Sequence, residues 1–410
     1  FAITWEGSGS GDSQGIYFQQ YAEDQLTSEA GDSAVIDVVL DRAPSANVTV
    51  NLSTTDAGEG SLSASSLVFT PANWNTLQSV VATGLNDSDP DGDVLYQVQA
   101  SAASTDAGYD GFVARPAALT NIDNELIVST TADTVDGDTS SVDALAANRG
   151  ADNAVSLREA VIAANNTAGA DTISFDISGS SPRVILLASA LPDIVDTITI
   201  DGTSQPGYVA SGTPAIELDG SSAGTTSGLS FQSGSSGSTV RGLAINRFSQ
   251  HGILLQNSSS HLIAGNRIGT DPSATLDRGN GDTGIRIANS GNNTIGGNTL
   301  QDRNVISGNN NFGLYLTAVG SSGNNIWGNY IGLNGAGNSP IGNLSDGIRI
   351  DLEASNNTVG GDRNSGYGNV ISGNSSSQSD GVEIARDSDN NAVLGNFIGT
   401  DSSGLFAVPN

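Results

Sequence analysis

The sequence contains no cysteine. Disulfide stapling and thiol chemistry are therefore excluded, a pattern found in many exported bacterial proteins. Methionine is absent too, even at the first position, where Phe1 stands inside a strand-like FAITWEG. A further repeat unit is expected beyond Thr400, so both ends read as cut from a longer polypeptide. Basic residues are scarce: 14 Lys and Arg stand against 44 Asp and Glu, a net charge of -30. That balance makes nucleic acid and anionic membrane surfaces poor partners and a divalent cation a better one. No apolar run approaches the length of a membrane span, so no membrane insertion is expected in this segment. The two histidines, His251 and His261, have no partner set for a metal site or a catalytic triad, and His251 reads as a turn residue. No glycine-rich loop follows a strand and opens a helix, which removes a phosphate-binding loop.

What the chain has in abundance is repetition. GNRIGT at Gly265–Thr270 returns as GNYIGL at Gly328–Leu333 and as GNFIGT at Gly395–Thr400. RNVISGN at Arg303–Asn309 returns as GNVISGN at Gly368–Asn374. A third word, HGILL, TGIRI, FGLYL, DGIRI and DGVEI, starts at 251, 283, 312, 346 and 380, at steps of 32, 29, 34 and 34. A fixed period of this size marks a solenoid. Each word alternates apolar and polar residues over a few positions and closes on Gly or Asn, which predicts short strands joined by tight corners. Stacked coil on coil, such strands form a parallel β-helix, and the crossover preference makes it right-handed. Ile253, Ile285, Leu314, Ile348 and Val382 should then form one inward column. Gly and Asn suit left-handed corners, and corner asparagines such as Asn309 and Asn374, or Asn266, Asn329 and Asn396, should form amide ladders.

The texture changes along the chain. Residues 26–125 alternate at Ala34–Leu40, Val48–Leu52, Leu67–Thr70, Ser79–Thr83 and Val94–Ala100, with turn-rich breaks between, which predicts an antiparallel β-sandwich. Residues 126–200 read as a cap and the first rungs, and 201–410 as the regular β-helix. In VSLREA, Ser156 and Glu159 form a capping box, and Leu157, Ala160, Val161 and Ala164 an apolar stripe. A helix over Ser156–Asn165 should cover the open end of the solenoid.

Three resemblances overlie this division. The order SEAGDSAVIDVVLDRAP, STTDAGEGSLS, FTPANWN, DSDPDGDVLYQV and TNIDNE resembles the Calx-β-like module over the whole of 26–125. The stretch from TADTVDGD to DTISF resembles the capping region named for its Cys-Ser-Leu-Arg-Glu-Ala signature, with Val155 at the cysteine position. Residues 1–25 resemble the end of a Trp-initiated repeat of very large bacterial surface proteins. Together they imply an extracellular or cell-surface location.

Candidate chemistry falls in two places. The loop Asn86–Asp93 sets Asp87, Asp89, Asp91 and Asp93 at alternate positions, which suits Ca²⁺ and its six to eight oxygen ligands. The Calx-β-like resemblance adds Glu29, Asp56 and Asp123. The competing reading is a solvated Asp/Gly/Pro turn. On the solenoid, Asp346 and Asp380 occupy equivalent places on consecutive rungs, about 4.8 Å apart, close to the spacing of a retaining glycosidase pair. The adjacent outward column of Arg286, Tyr315, Arg349 and Glu383 suits an acidic sugar. Polar outward positions are equally what any soluble solenoid needs. The sequence therefore favours a non-catalytic, adhesive segment of a large surface protein, a stalk or fibre that packs on neighbouring domains or copies of itself. A carbohydrate-binding or carbohydrate-cleaving β-helix is the alternative.

Overall fold

The computed structural model describes residues 26–29, 31–85, 93–122, 126–209, 212–374 and 379–410, with the backbone of the strands Ala2–Thr4 and Ile16–Tyr21. Two compact units divide at Glu125 and Leu126.

The first unit is a pair of five-stranded sheets. One runs in the order Ala2–Thr4, Ile16–Tyr21, Ser33–Leu40, Gln78–Gly84, Gly60–Leu62, and the other Leu26–Ser28, Ala117–Ile122, Val94–Ser104, Val48–Thr54, Ser66–Phe69. All pairings are antiparallel except Leu26–Ser28 with Ala117–Ile122. Alternation explains the layers. In Ser33–Leu40 every second residue, Ala34, Ile36, Val38 and Leu40, is buried. These meet Val50, Phe69, Val80, Val98 and Leu119 in one core.

The second unit is a parallel β-helix of three sheets, with nine, eight and six strands. The expected column is present: Ile253, Ile285, Leu314, Ile348 and Val382 pair in register, and the first four are fully buried. The apolar interior is continuous from Leu126 to Ile371. Each buried Ile or Leu contributes roughly 1.5–3 kcal/mol. The glycine in the x-Gly-Ile-x-Ile word has a packing cause. A Cβ on Gly313 would lie 2.6 Å from the carbonyl oxygen of Gly347 in the next coil.

The corners hold three amide ladders. Asn266, Asn304, Asn329, Asn369 and Asn396 form one; Asn280, Asn309, Asn343, Asn374 and Asn410 the second; Asn293, Asn324, Asn357 and Asn391 the third. Each side-chain oxygen accepts from the backbone and side-chain amides of the asparagine one coil earlier, for example at 3.1 and 2.9 Å between Asn309 and Asn343. The left-handed angles fall on glycines such as Gly265 (φ 69°) and Gly269 (φ 91°) and on asparagines beside the third ladder, Asn292 (φ 57°), Asn356 (φ 59°) and Asn390 (φ 55°), not on the ladder asparagines themselves. Those residues serve through their side chains.

Two helices precede the rungs: α1 (Val142–Ala147) and α2 (Leu157–Asn166). Ser156 and Glu159 make the expected capping box, and Leu157 and Val161 are buried in the solenoid core beside Val128, Ile173 and Phe175. Arg158 grips Asp133 through two 2.8 Å bonds and also donates to the carbonyls of Ser189 and Ala190. Val155 is buried, so the cysteine position of the signature needs only a small apolar side chain here.

One group near the cap is poorly satisfied. Asp171, at the start of Asp171–Phe175, has a buried Oδ2 with no hydrogen-bond partner among the described residues. Burial first, then the charges of Asp196 and Asp143, push its pKa up to about 7. The folded state therefore holds this proton more tightly than the unfolded chain does. Stability is gained as pH falls through about 7, and the full penalty applies above it. Asp171→Asn should stabilise the solenoid at pH 8 by about 1–2 kcal/mol, since solvent screens part of the effect. Thermal midpoints of both proteins at pH 8 and pH 5 test this: the advantage should be markedly smaller at pH 5 and vanish only below about pH 4, the value of the unfolded chain. An equal advantage at both pH values would rule out the titration of Asp171 as its origin.

Candidate functional site

The six-stranded sheet carries the polar chemistry. Its strands are Leu229–Phe231, Ile253–Gln256, Ile285–Ala288, Leu314–Thr317, Ile348–Asp351 and Val382–Ile384. Alternation turns one residue per strand outward, and register stacks them as Ser230, Leu254, Arg286, Tyr315, Arg349 and Glu383.

Arg349 organises the far end. Its guanidinium contacts Asp351 at 3.1 Å, Asp346 at 3.4 Å and Glu383. Arg386 closes on Asp351 from the next coil, with Nε 2.7 Å from Oδ1. Asp346 is almost wholly buried, and its Oδ1 accepts from the backbone amide of Asp380 at 2.9 Å. Carboxylate oxygens of Asp346, Asp380 and Glu383 lie within 4.8 Å of one another. Burial, then the hydrogen bond and charge it shares with Asp346, raise the pKa of Glu383 against the pull of Arg349. For Asp351, burial is outweighed by the hydrogen bonds from Arg386 and Arg349, which lower its pKa. The pair expected from sequence is thus brought together, with Asp346 drawn into an ion-pair lattice and Asp380 joined to it through its backbone amide.

The near end differs. Arg286 lies over the Tyr315 ring, 5.8 Å from its centroid, and Tyr315 packs at a tilt against Phe312 at 5.1 Å. His251 is not a bare turn residue: Nδ1 lies 3.6 Å from Asp282 Oδ2 and Nε2 3.4 Å from Arg286 Nη1. Burial lowers its pKa despite Asp282, so the ring is neutral at pH 7. The Thr283 backbone amide also points at Nδ1 from 3.4 Å, so the two ring nitrogens face a backbone donor and an arginine donor.

Sequence reasoning missed Asp351, Arg386, Phe312 and the link between His251 and Arg286. Asp351 had a signal. It stacks on Thr317, Ala288 and Gln256, so it is the one charge in its column.

The fold and this face define a capped parallel β-helix with a β-sandwich before it. The chain belongs to the family described as NosD, periplasmic copper-binding protein, whose model matches residues 133–344, or 212 of the 410 residues. No curated protein matches the chain. Among solved structures, it is similar to SSP-19, an MSP-domain protein like family member in Caenorhabditis elegans, at 13% identity over 25% of this chain and 94% of that one, with a TM-score of 0.18. A Bacteroides ovatus GH5 xyloglucanase in complex with a XXXG heptasaccharide is similar at 14% identity over 30% of this chain and 22% of that one, with a TM-score of 0.17. Likenesses this weak support no argument about fold or function. The matched residues begin after the sandwich, so the Calx-β-like resemblance rests on its own motifs.

The expectation of calcium is corrected by the family, whose described metal is copper. Of the seven carboxylates, Asp87, Asp89, Asp91 and Asp123 lie outside the described residues. Glu29, Asp56 and Asp93 join no three-donor cluster among the described residues. Asp56 is exposed and turns its Oδ1 onto the amide of Gly58 at 2.9 Å, as an ordinary turn residue does.

Copper does not fit the donors of this chain either. Copper favours imidazole, thiolate and thioether ligands, and the sequence holds two histidines, no cysteine and no methionine. His261 is buried, with Nε2 2.9 Å from Ser258 Oγ and its ring tilted against Phe231. Burial lowers its pKa to about 4. Among the described residues the one three-donor cluster is Asp346, Asp380 and Glu383, all carboxylates and outside the matched residues, and Arg349 already engages Asp346 and Glu383.

Proposed function

We propose that this chain is a non-catalytic structural segment that works outside the cytoplasm as a rigid, adhesive stalk or fibre. One observation carries the reading: Asp346, one of the two carboxylates that could form an active pair, is buried and already held by Arg349 and by the backbone amide of Asp380. Arg349 is shared by Asp346, Asp351 and Glu383, and Arg386 completes Asp351. A general acid and base need freedom to exchange protons with a substrate, whereas this lattice ties consecutive coils together. The amide ladders give the same stiffness at the corners. The family's periplasmic description agrees with a location outside the cytoplasm, and the described residues contain no helix long and apolar enough to cross a membrane. Its copper is not carried over to this chain. Neighbouring domains or copies of the same protein are the partners this reading implies.

The test is turnover of a panel of polyuronates and neutral polysaccharides by the full chain, with Asp346→Asn and Asp380→Asn as controls. No turnover is expected from any of the three proteins. Cleavage that either substitution abolishes would replace the structural reading with that of a lyase or hydrolase.

A further inference from the structure

The arginines of the six-stranded sheet are not equivalent. Arg349 and Arg386 are saturated by carboxylates. Arg286 has no carboxylate within ion-pair distance among the described residues, and its Nε is buried without an acceptor. An outward-facing guanidinium without a carboxylate partner is a strong site for an anion. Beside it, the outward Leu254 lines an open cavity of about 360 Å³ that also involves Ser230, Gln232, Gln250 and Ser227. The Oγ of Ser227 is buried and has no hydrogen-bond partner among the described residues. On the other side stand the rings of Tyr315 and Phe312.

Hydroxyls and amides, then a guanidinium without a carboxylate partner, then an aromatic face follow one another along the helix axis at rung steps of about 4.8 Å. We propose that this strip binds a linear acidic glycan, with Arg286 taking a uronate carboxylate, Tyr315 packing on a sugar ring, and Ser227, Gln232 and Gln250 meeting hydroxyls of the preceding sugar. The chemistry selects the ligand. A neutral glycan leaves Arg286 unmatched. A nucleic acid would need a run of cations on a chain that carries -30 overall. The strip goes beyond the structural role and stands without it.

Calorimetric titration of the full chain with a hexa-uronate, a neutral hexasaccharide and an oligo-glutamate of similar length tests the proposal. The hexa-uronate should bind, the neutral sugar at least about tenfold more weakly, and the oligo-glutamate weakly for want of rings and hydroxyls. Arg286→Gln should lower hexa-uronate affinity by about tenfold or more. Arg286→Lys keeps the charge but loses the planar fork, so it should lose less. Thermal midpoints like that of the parent would show both variants folded. If the hexa-uronate does not bind, if Arg286→Gln leaves affinity unchanged, or if oligo-glutamate binds equally well, the proposal is wrong. Binding with turnover would leave this site standing and overturn the structural reading. Absent binding and absent turnover would do the reverse.

Discussion

Replacing Glu159 by alanine is expected to destabilise the solenoid by about 4–5 kcal/mol. Glu159 is 1% exposed and sits at the third position of α2. Its Oε1 accepts from the backbone amides of Asp136 and Gly137, both at 2.8 Å. Its Oε2 accepts from the amide and hydroxyl of Ser156 at 2.8 and 2.9 Å. Four donors thus converge on one buried carboxylate. Alanine strands the three amides, while the Ser156 hydroxyl keeps the carbonyl of Thr134 at 2.6 Å, and each buried donor left unsatisfied costs about 1–3 kcal/mol. Glutamine keeps the shape but turns an amide donor toward one pair of donors, so Glu159→Gln should cost about 2–3 kcal/mol. Urea unfolding of the solenoid gives the magnitudes. Hydrogen exchange at Asp136 and Gly137 gives the location, because the loop those amides anchor should open first. A loss below about 1 kcal/mol for alanine would mean that water replaces the carboxylate.

The cap also shows where a sequence stops being legible. Ser156 and Glu159 announce a capping box because both partners lie within four residues. The salt link from Arg158 to Asp133 spans twenty-five positions and leaves no periodic trace. Helix α1, six residues long, is too short to show a stripe. The rungs were legible because alternation and period repeat many times. Their phase was less so. GN-x-IGT and x-NVISGN look like separate words, yet Ile268, Ile306, Ile331, Ile371 and Ile398 are consecutive partners in one sheet. The two words differ in the segment each leads into. GN-x-IG opens a loop such as Asp271–Gly279, whereas ISGN passes directly to the next strand. The true repeat is therefore two coils, and Asn304 and Asn369 join the ladder of Asn266, Asn329 and Asn396. His261 starts the third ladder, donating its backbone amide to Asn293 at 2.9 Å. Its ring meets Ser258 as Asn293 meets Ser290 one coil later. Such mimicry between residue types is invisible without coordinates. At the candidate site, spacing placed Asp346 beside Asp380, but only the fold could show that Arg349 draws Asp346 into an ion-pair set with Asp351 and Glu383. The acidic loop failed for the opposite reason: alternate aspartates satisfy the composition of a calcium site without requiring its geometry.

The ladders yield the second large expected effect. Asn343 is fully buried in the middle of its ladder. Its oxygen accepts from Asn309 N at 3.1 Å and Asn309 Nδ2 at 2.9 Å, and its Nδ2 donates to Ile306 O at 3.0 Å and Asn374 Oδ1 at 2.9 Å. Asn343→Ala therefore strands the backbone amide of Asn309 and takes one partner from each of Asn309 Nδ2, Ile306 O and Asn374 Oδ1 in an apolar interior, and should cost about 3–5 kcal/mol. Asn343→Asp should be no better. A carboxylate still accepts from Asn309, but it cannot donate to Ile306 or Asn374, and it adds a buried charge. Asn391 provides the control. It makes the same kind of bonds, to Asn357 at 2.9 and 3.0 Å and to Ala354 O at 3.0 Å, but it is only half-buried. Water can replace what it loses, so Asn391→Ala should cost about 1 kcal/mol. Urea midpoints of the three variants against the parent decide the matter. Equal losses at 343 and 391 would show that the ladder acts only by shaping each corner. A loss several times greater at 343 would show that stiffness comes from uninterrupted amide pairing through the buried coils, as a load-carrying rod requires.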